Sequence, residues 1–149
     1  WQSNSYLNHQ DTQDTKVMIQ DCNAAAADAE AVAAAIVDSA IKVHRALGPG
    51  LLESVYEACL CYELSKRGIS VRRQVTMPVR YEDVYVETGY RIDIVAGESV
   101  IIEVKAVDAI IPIHEAQLLT YLKLTNLHVG FILNFNTTLM KQGIKRMVR

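Results

Sequence analysis

The sequence predicts an α/β domain, a mixed β-sheet sandwiched between helices. Three observations carry that expectation. Apolar residues recur every three or four positions from Val32 to Leu60, the period of helices with one buried stripe. After Gly68 the period changes to alternation, as on a strand with one buried face. A helical segment then returns and is followed by another short apolar run, so helices and strands share one layered core. A chain of 149 residues is long enough to bury such a core.

Residues 1–28 are polar and then Ala-rich, without a sustained apolar face, and are expected to form an appendage, an extra helical segment, on a domain spanning 29–149. In "AEAVAAAIVDSAIKVHRALG" the residues Val32, Ile36, Ala40, Val43 and Leu47 make a helical stripe, and Gly48-Pro49-Gly50 ends it. A second helix runs from near Leu51 to about Lys66, with Leu52, Val55, Tyr56, Cys59 and Leu60 as its apolar side and Gly68 as its stop. Val75, Met77, Val79 and Tyr81 then face one way on a strand while Gln74, Thr76 and Arg80 face the other. Glu82-Asp83 turns the chain into a strand over Val84–Val95, and Gly97-Glu98 turns it into Ser99–Val107. Such short connections predict an antiparallel meander. Pro112 precedes a helix from His114 to about Leu124, with Ala116, Leu119, Leu122 and Lys123 near one side, and "LHVGFILNF" (127–135) is a buried strand. The basic, amphipathic segment from about Leu139 is expected to close the chain as a helix.

Half of the residues are hydrophobic and 21% are charged, which excludes a disordered chain. No apolar run approaches the ~20 residues of a membrane helix, and the N-terminus lacks the pattern of a secretory signal. The net charge of -2 is unevenly spread. Asp11, Asp14, Asp21, Asp28, Glu30 and Asp38 stand against Lys16 in residues 1–40, whereas the remainder is net basic. Two basic clusters, Lys66, Arg67, Arg72 and Arg73, then Lys141, Lys145, Arg146 and Arg149, offer contacts to phosphates or serve as solvated surface. Cys22, Cys59 and Cys61 have neither disulfide nor metal spacing and read as small buried hydrophobes in a reducing cytoplasm.

The stretch "RIDIVAGESVIIEVKAV" (91–107) sets charges within an interior strand. Glu103 and Lys105, two apart, share one face, and a tight turn near residue 97 brings Asp93 beside Glu103. Two carboxylates at low dielectric need a cation between them, or one must protonate. Mg²⁺, an oxygen-seeking ion that keeps several waters, satisfies both, and Lys105 could then orient an attacking water. That is a layout for metal-assisted phosphodiester hydrolysis. The plainer alternative is a partly buried ion pair of Lys105 with Glu103 or Asp93. The spacing D-x9-E-x-K does not by itself decide between them.

"GPGLLESVYEACL", with Gly50, Glu53 and Tyr56 at fixed positions, resembles the signature of the GxxExxY proteins, as do "RIDIVAGESVIIEVKAV", "HEAQLLTYLKLTNLHVGFILNFN" and the closing "GIKR". The resemblance covers roughly Ile36 to Val148. It implies the PD-(D/E)XK nuclease superfamily, with an αβββαβ core. It further implies that Asp93 and Glu103 bind the metal (Mg²⁺ or Mn²⁺), with the Val104 carbonyl adding a ligand, and that Lys105 is the catalytic lysine. Glu53 resembles the helical acid of exonuclease-type members, a catalytic and metal-binding position. Gln117 and Tyr121 resemble their Q-x3-Y motif, Gln117 bonding near the site and Tyr121 supporting it by packing or contacting the nucleic-acid strand. Ile92 stands where the superfamily's name has proline.

Glu57, one helical turn after Glu53, is either a second ligand or a solvated acid, and Arg91 either binds phosphate or is a surface arginine. His44 is expected to be structural, and His114 either to start its helix as a polar residue or to lie at the mouth of the site. The resulting expectation is a cytoplasmic, Mg²⁺-dependent nuclease acting on DNA, or on RNA, with no membrane partner and with a homodimer left open. Its rivals are a nuclease-fold module that binds nucleic acid or a protein partner without efficient cleavage, and an inert structural dimer.

Overall fold

The computed structural model describes residues 9–149; the side chains of residues 9–27 and of Thr88 lie outside the description, as does the part of the expected appendage before His9. The first helix, α1 (His9–Leu47), runs unbroken for 39 residues, so that from His9 onward the appendage and the first domain helix are continuous. Among the described side chains Val32, Ile36, Ala40 and Val43 are buried as their spacing predicts. Leu47 falls out of the stripe, because Gly48, at φ +67, already turns the chain away.

Helix α2 (Glu53–Lys66) buries a different side from the one expected. Its core face is Tyr56, Glu57, Leu60, Cys61 and Leu64, whereas Leu52 and Val55 are exposed. Tyr56 sets that rotation. Its ring stacks on Phe135 at 4.5 Å, and its hydroxyl donates to the Gly48 carbonyl at 2.5 Å while accepting the Leu51 N–H. A buried tyrosine needs a partner for its hydroxyl, and only this orientation reaches the α1–α2 loop.

The sheet has the order β1-β2-β3-β4-β5. Strands β1 (Val71–Tyr81), β2 (Val84–Ala96) and β3 (Val100–Lys105) form the expected antiparallel meander. Pro78 sits at a register shift between Met77 and Val79 on β1, an edge strand where a missing N–H is tolerated. The β2–β3 turn has both Gly97 and Glu98 at positive φ, the geometry that matches strand twist, and Arg72 grips the Glu98 carboxylate with two bonds of 2.7 and 2.8 Å. Helix α3 (Pro112–Thr125) makes the crossover from β3 to the parallel β4 (Val129–Asn134). Helices α1 and α2 cover one face of the sheet, against Ile94, Ile102, Val104, Phe131 and Leu133. Leu118, Tyr121 and Leu122 of α3 cover the other, against Ile101 and Ile132.

The C-terminal segment is not the expected helix. After a short 3₁₀ turn, α4 (Met140–Gly143), residues Ile144–Val148 form β5, antiparallel to β4. The helical spacing of Leu139, Met140, Ile144 and Met147 loses to the open edge of β4, whose six residues are all buried and whose backbone groups need partners. Gly143 permits the turn, since a Cβ there would lie 1.9 Å from the Asn134 carbonyl oxygen. Cys59 and Cys61 are free thiols, and burial pushes Cys61 up to about 11. No helix among the described residues is long and apolar enough to cross a membrane.

Candidate active site

Pairing between β2 and β3 runs Ala96↔Val100, Val95↔Ile101, Ile94↔Ile102 and then stops. The next positions, Asp93 and Glu103, would face each other. There the strands part, and the two acids take up the backbone donors that the lost ladder leaves free. The Val104 N–H donates to Asp93 Oδ2 at 2.9 Å, and the Asp93 N–H donates to Glu103 Oε1 at 3.2 Å. Each carboxylate is thereby anchored on the opposite strand.

The neighbouring strand is irregular at the same level. Arg73 pairs with Ile94 and Val75 with Ile92, but Gln74, between them, drops out of the ladder with φ +51. A non-glycine residue in that region is strained, and such residues gather at functional sites. The side-chain alternation of β2 breaks here too: Ile92 and Val95, three apart, both pack beneath α3. Gln74 turns its amide onto Glu57, donating at 2.8 and 2.9 Å to the two carboxylate oxygens, and Arg73 Nε adds a bond of 3.3 Å.

Glu103 is 4% exposed. Burial, and then the charge of Asp93, push its carboxyl up to about 8. Asp93 is also raised, first by burial and then by the charge of Glu57. Lys105, half-buried at the end of β3, lowers both acids electrostatically, yet it forms no salt bridge among the described residues. The inert ion pair that the sequence allowed is therefore not made. A buried acid and a half-buried one that repel each other and have no ion-pair partner among the described residues are a donor set that a hard divalent cation fits. Among the described residues no third His, Cys, Asp or Glu joins them in a group able to hold a metal.

Glu53 thus stands apart from the acid pair. It is exposed, and its Oε1 accepts the Ala106 N–H at 3.1 Å, which ties the start of α2 to the end of β3 just after Lys105. Glu53, like Asp93 and Glu103, is thereby held by a backbone N–H. Gln117 donates to the Tyr121 hydroxyl at 2.8 Å. Burial, then the Glu103 charge, push that hydroxyl up to about 12. The Tyr121 ring is 2% exposed and packs edge-on to Tyr90 at 5.5 Å. Arg91 is exposed on β2 without a side-chain bond among the described residues. The Val104 N–H is spent on Asp93.

The Glu57–Gln74–Arg73 network escaped sequence reasoning. Glu57 was visible as an acid one turn from Glu53, but nothing in the spacing announces that Gln74 leaves its strand to meet it. His44 is structural, as expected, its Nε2 bonding the Thr137 carbonyl, and His114 lies at the start of its helix, its Nδ1 accepting the Ile111 N–H. Most of both basic clusters is also spent internally. Lys66 pairs with Glu63, Arg67 with Asp38, Arg72 with Glu98, Arg73 with Glu57, Lys145 with Glu115 and Arg146 with Glu30, while Arg149 bonds the Leu122 carbonyl.

A family model described as "PD-(D/E)XK nuclease superfamily" matches residues 30–147. No curated protein and no solved structure matches the chain.

Proposed function

The chain belongs to the PD-(D/E)XK nuclease superfamily, and from that membership and its acid pair we propose that it is a divalent-metal-dependent nuclease cutting DNA, or else RNA. Within the superfamily we assign it to the GxxExxY proteins. The motif's residues support that assignment with separate tasks: Gly50, at φ +101, shapes the α1–α2 loop, Glu53 fastens the end of β3, and Tyr56 ties the loop to the core. The observation that carries the nuclease reading is the pair of mutually repelling carboxylates, Glu103 buried and Asp93 half-buried, beside an amine that pairs with neither.

Asp93 and Glu103 would hold Mg²⁺ or Mn²⁺, and the Val104 carbonyl is offered as a further ligand. Bound there, the ion would neutralise phosphate charge and acidify a water. Asp93 and Glu103 supply that site from two strands fixed by each other's backbone, so little reorganisation accompanies loading. The Lys105 ammonium orients a nucleophilic water and stabilises the charge that grows on the phosphoryl oxygens. Glu53 holds the strand end from which Lys105 projects. Gln117 and Tyr121 act together as a support beneath Glu103, and Arg91 is a candidate phosphate contact.

The test is incubation with labelled single- and double-stranded DNA and RNA in Mg²⁺ or Mn²⁺, and then in EDTA. Metal-dependent cleavage by wild type, absent in Lys105→Ala, is the expected result. Failure of wild type to cleave any of them, or equal cleavage by Lys105→Ala, ends the enzyme reading. Salt-sensitive binding without cleavage would select the non-catalytic binding module instead.

A further inference from the structure

At the end of the sheet that carries Lys105 there is a second feature, a cleft of about 460 Å³ between the C-terminus of α1 and the segment leading into α4. That volume lies in the range of pockets for small organic ligands. Its wall is apolar through Ile41, Pro49 and Leu139, and its cations are Arg45 and Lys141. Both cations are exposed, and neither has an ion-pair partner among the described residues. Within the two basic clusters, by contrast, Lys66, Arg67, Arg72, Arg73, Lys145 and Arg146 are neutralised within the molecule.

The cleft is held open by the fold. The buried His44 bridges its two walls, Nε2 meeting the Thr137 carbonyl at 2.8 Å, and Tyr56 fixes the Gly48 carbonyl on the loop that borders it. Both walls lead to the segment around and just beyond Lys105. The α1–α2 loop continues into Glu53, bonded to Ala106, the residue after Lys105. The opposite wall follows β4, whose last residue, Asn134, pairs with Lys105 and whose side chain brackets Val107 through both its N–H and its carbonyl.

We propose that this cleft is a nucleotide subsite: Arg45 and Lys141 take a phosphate of the nucleic-acid strand, and the adjoining sugar and base lie on Ile41, Pro49 and Leu139. The occupant follows from charge complementarity, two cations unpaired among the described residues above an apolar wall, and from continuity with the strand end that carries Lys105. It rests on the nuclease reading, since it assigns that site a place for the strand beyond the scissile bond.

Binding of a short fluorescein-labelled single-stranded DNA in EDTA, followed by anisotropy over a range of salt, tests it. Arg45→Gln combined with Lys141→Gln should bind at least tenfold more weakly. The slope of log affinity against log salt should fall by about 0.7, the value for one lost phosphate contact on a single strand. Arg45→Lys combined with Lys141→Arg should keep both. Equal melting temperatures, expected for exposed positions, show that the charge is what changed. Wild-type affinity and slope in the Gln pair, or no binding by wild type, overturns the subsite. Cleavage in Mg²⁺ is scored apart: a chain that binds through these residues without cutting keeps the subsite and loses the hydrolase, and cleavage at unchanged KM in the Gln pair does the reverse.

Discussion

Glu57 and Glu103 are both buried glutamates, 5% and 4% exposed, on elements that meet beside Asp93, and their surroundings could hardly differ more. Glu57 has both oxygens bonded by the Gln74 amide and a guanidinium at its flank. Glu103 receives one backbone N–H and faces another acid. Glu57 is thus buried with its partners, whereas Glu103 is buried against a like charge, the kind of strain that gathers at functional sites. The strand irregularity at Gln74 makes this division, since it turns a residue of the edge strand toward Glu57 and leaves Asp93 and Glu103 to each other.

The sharpest way to break the contrast is Lys105→Ala. If Lys105 belongs to the chemistry, kcat should fall on the order of 10²–10³-fold, as when a transition-state charge loses its donor. The melting temperature should barely move, because the amine forms no salt bridge among the described residues. A drop in stability with cleavage retained would return Lys105 to the architecture.

Glu103→Gln tests the other side. The folded Glu103 carboxyl, at about 8, titrates above its ordinary 4.5, so the metal-free native chain binds a proton that the unfolded chain releases. The stability linked to this group is complete below about pH 4.5 and is lost as pH rises through about 8. Glutamine removes that loss. In EDTA the variant should be the more stable protein at about pH 9, by the order of a few kcal/mol, and the difference should shrink toward about pH 5. Mg²⁺ should raise the melting temperature of wild type and not of the variant. Parallel pH curves for the two would show that Glu103 is not held toward its protonated form.

Glu57→Ala should do the opposite of Glu103→Gln, destabilising by ~0.5–1.5 kcal/mol because the bonds from the Gln74 amide to a buried carboxylate are lost. Denaturant titration measures it, and a neutral result would deny Glu57 its structural place. The smallest effect concerns Gln74 itself. Gln74→Ala loses the amide and keeps the strained φ, while Gln74→Gly loses the amide but relieves the strain, so glycine should be the milder change by ~0.5–1 kcal/mol. Equal costs would mean that the positive φ carries no strain.

Much of this was legible in advance. The meander, the α3 crossover and the meeting of Asp93 with Glu103 follow from period and turn chemistry, because residues joined by a tight turn have few ways to pair. Three things were not legible. The buried side of α2 depends on a hydroxyl that reaches a loop carbonyl. The fate of the last segment depends on an open strand edge that a local window does not contain. Glu53, for its part, bonds to Ala106, more than fifty positions away.

By itself, then, the sequence determined the layered α/β architecture and the juxtaposition of two acids with a lysine, because side-chain period and hairpin register act over a few residues. The tertiary structure alone decided which acids are satisfied and which are exposed to a partner charge, which cations are spent in pairs, and that Arg45 and Lys141 line one cleft. Those outcomes turn on side chains distant in the chain competing for the same donors and acceptors, and that competition is settled only when the elements pack.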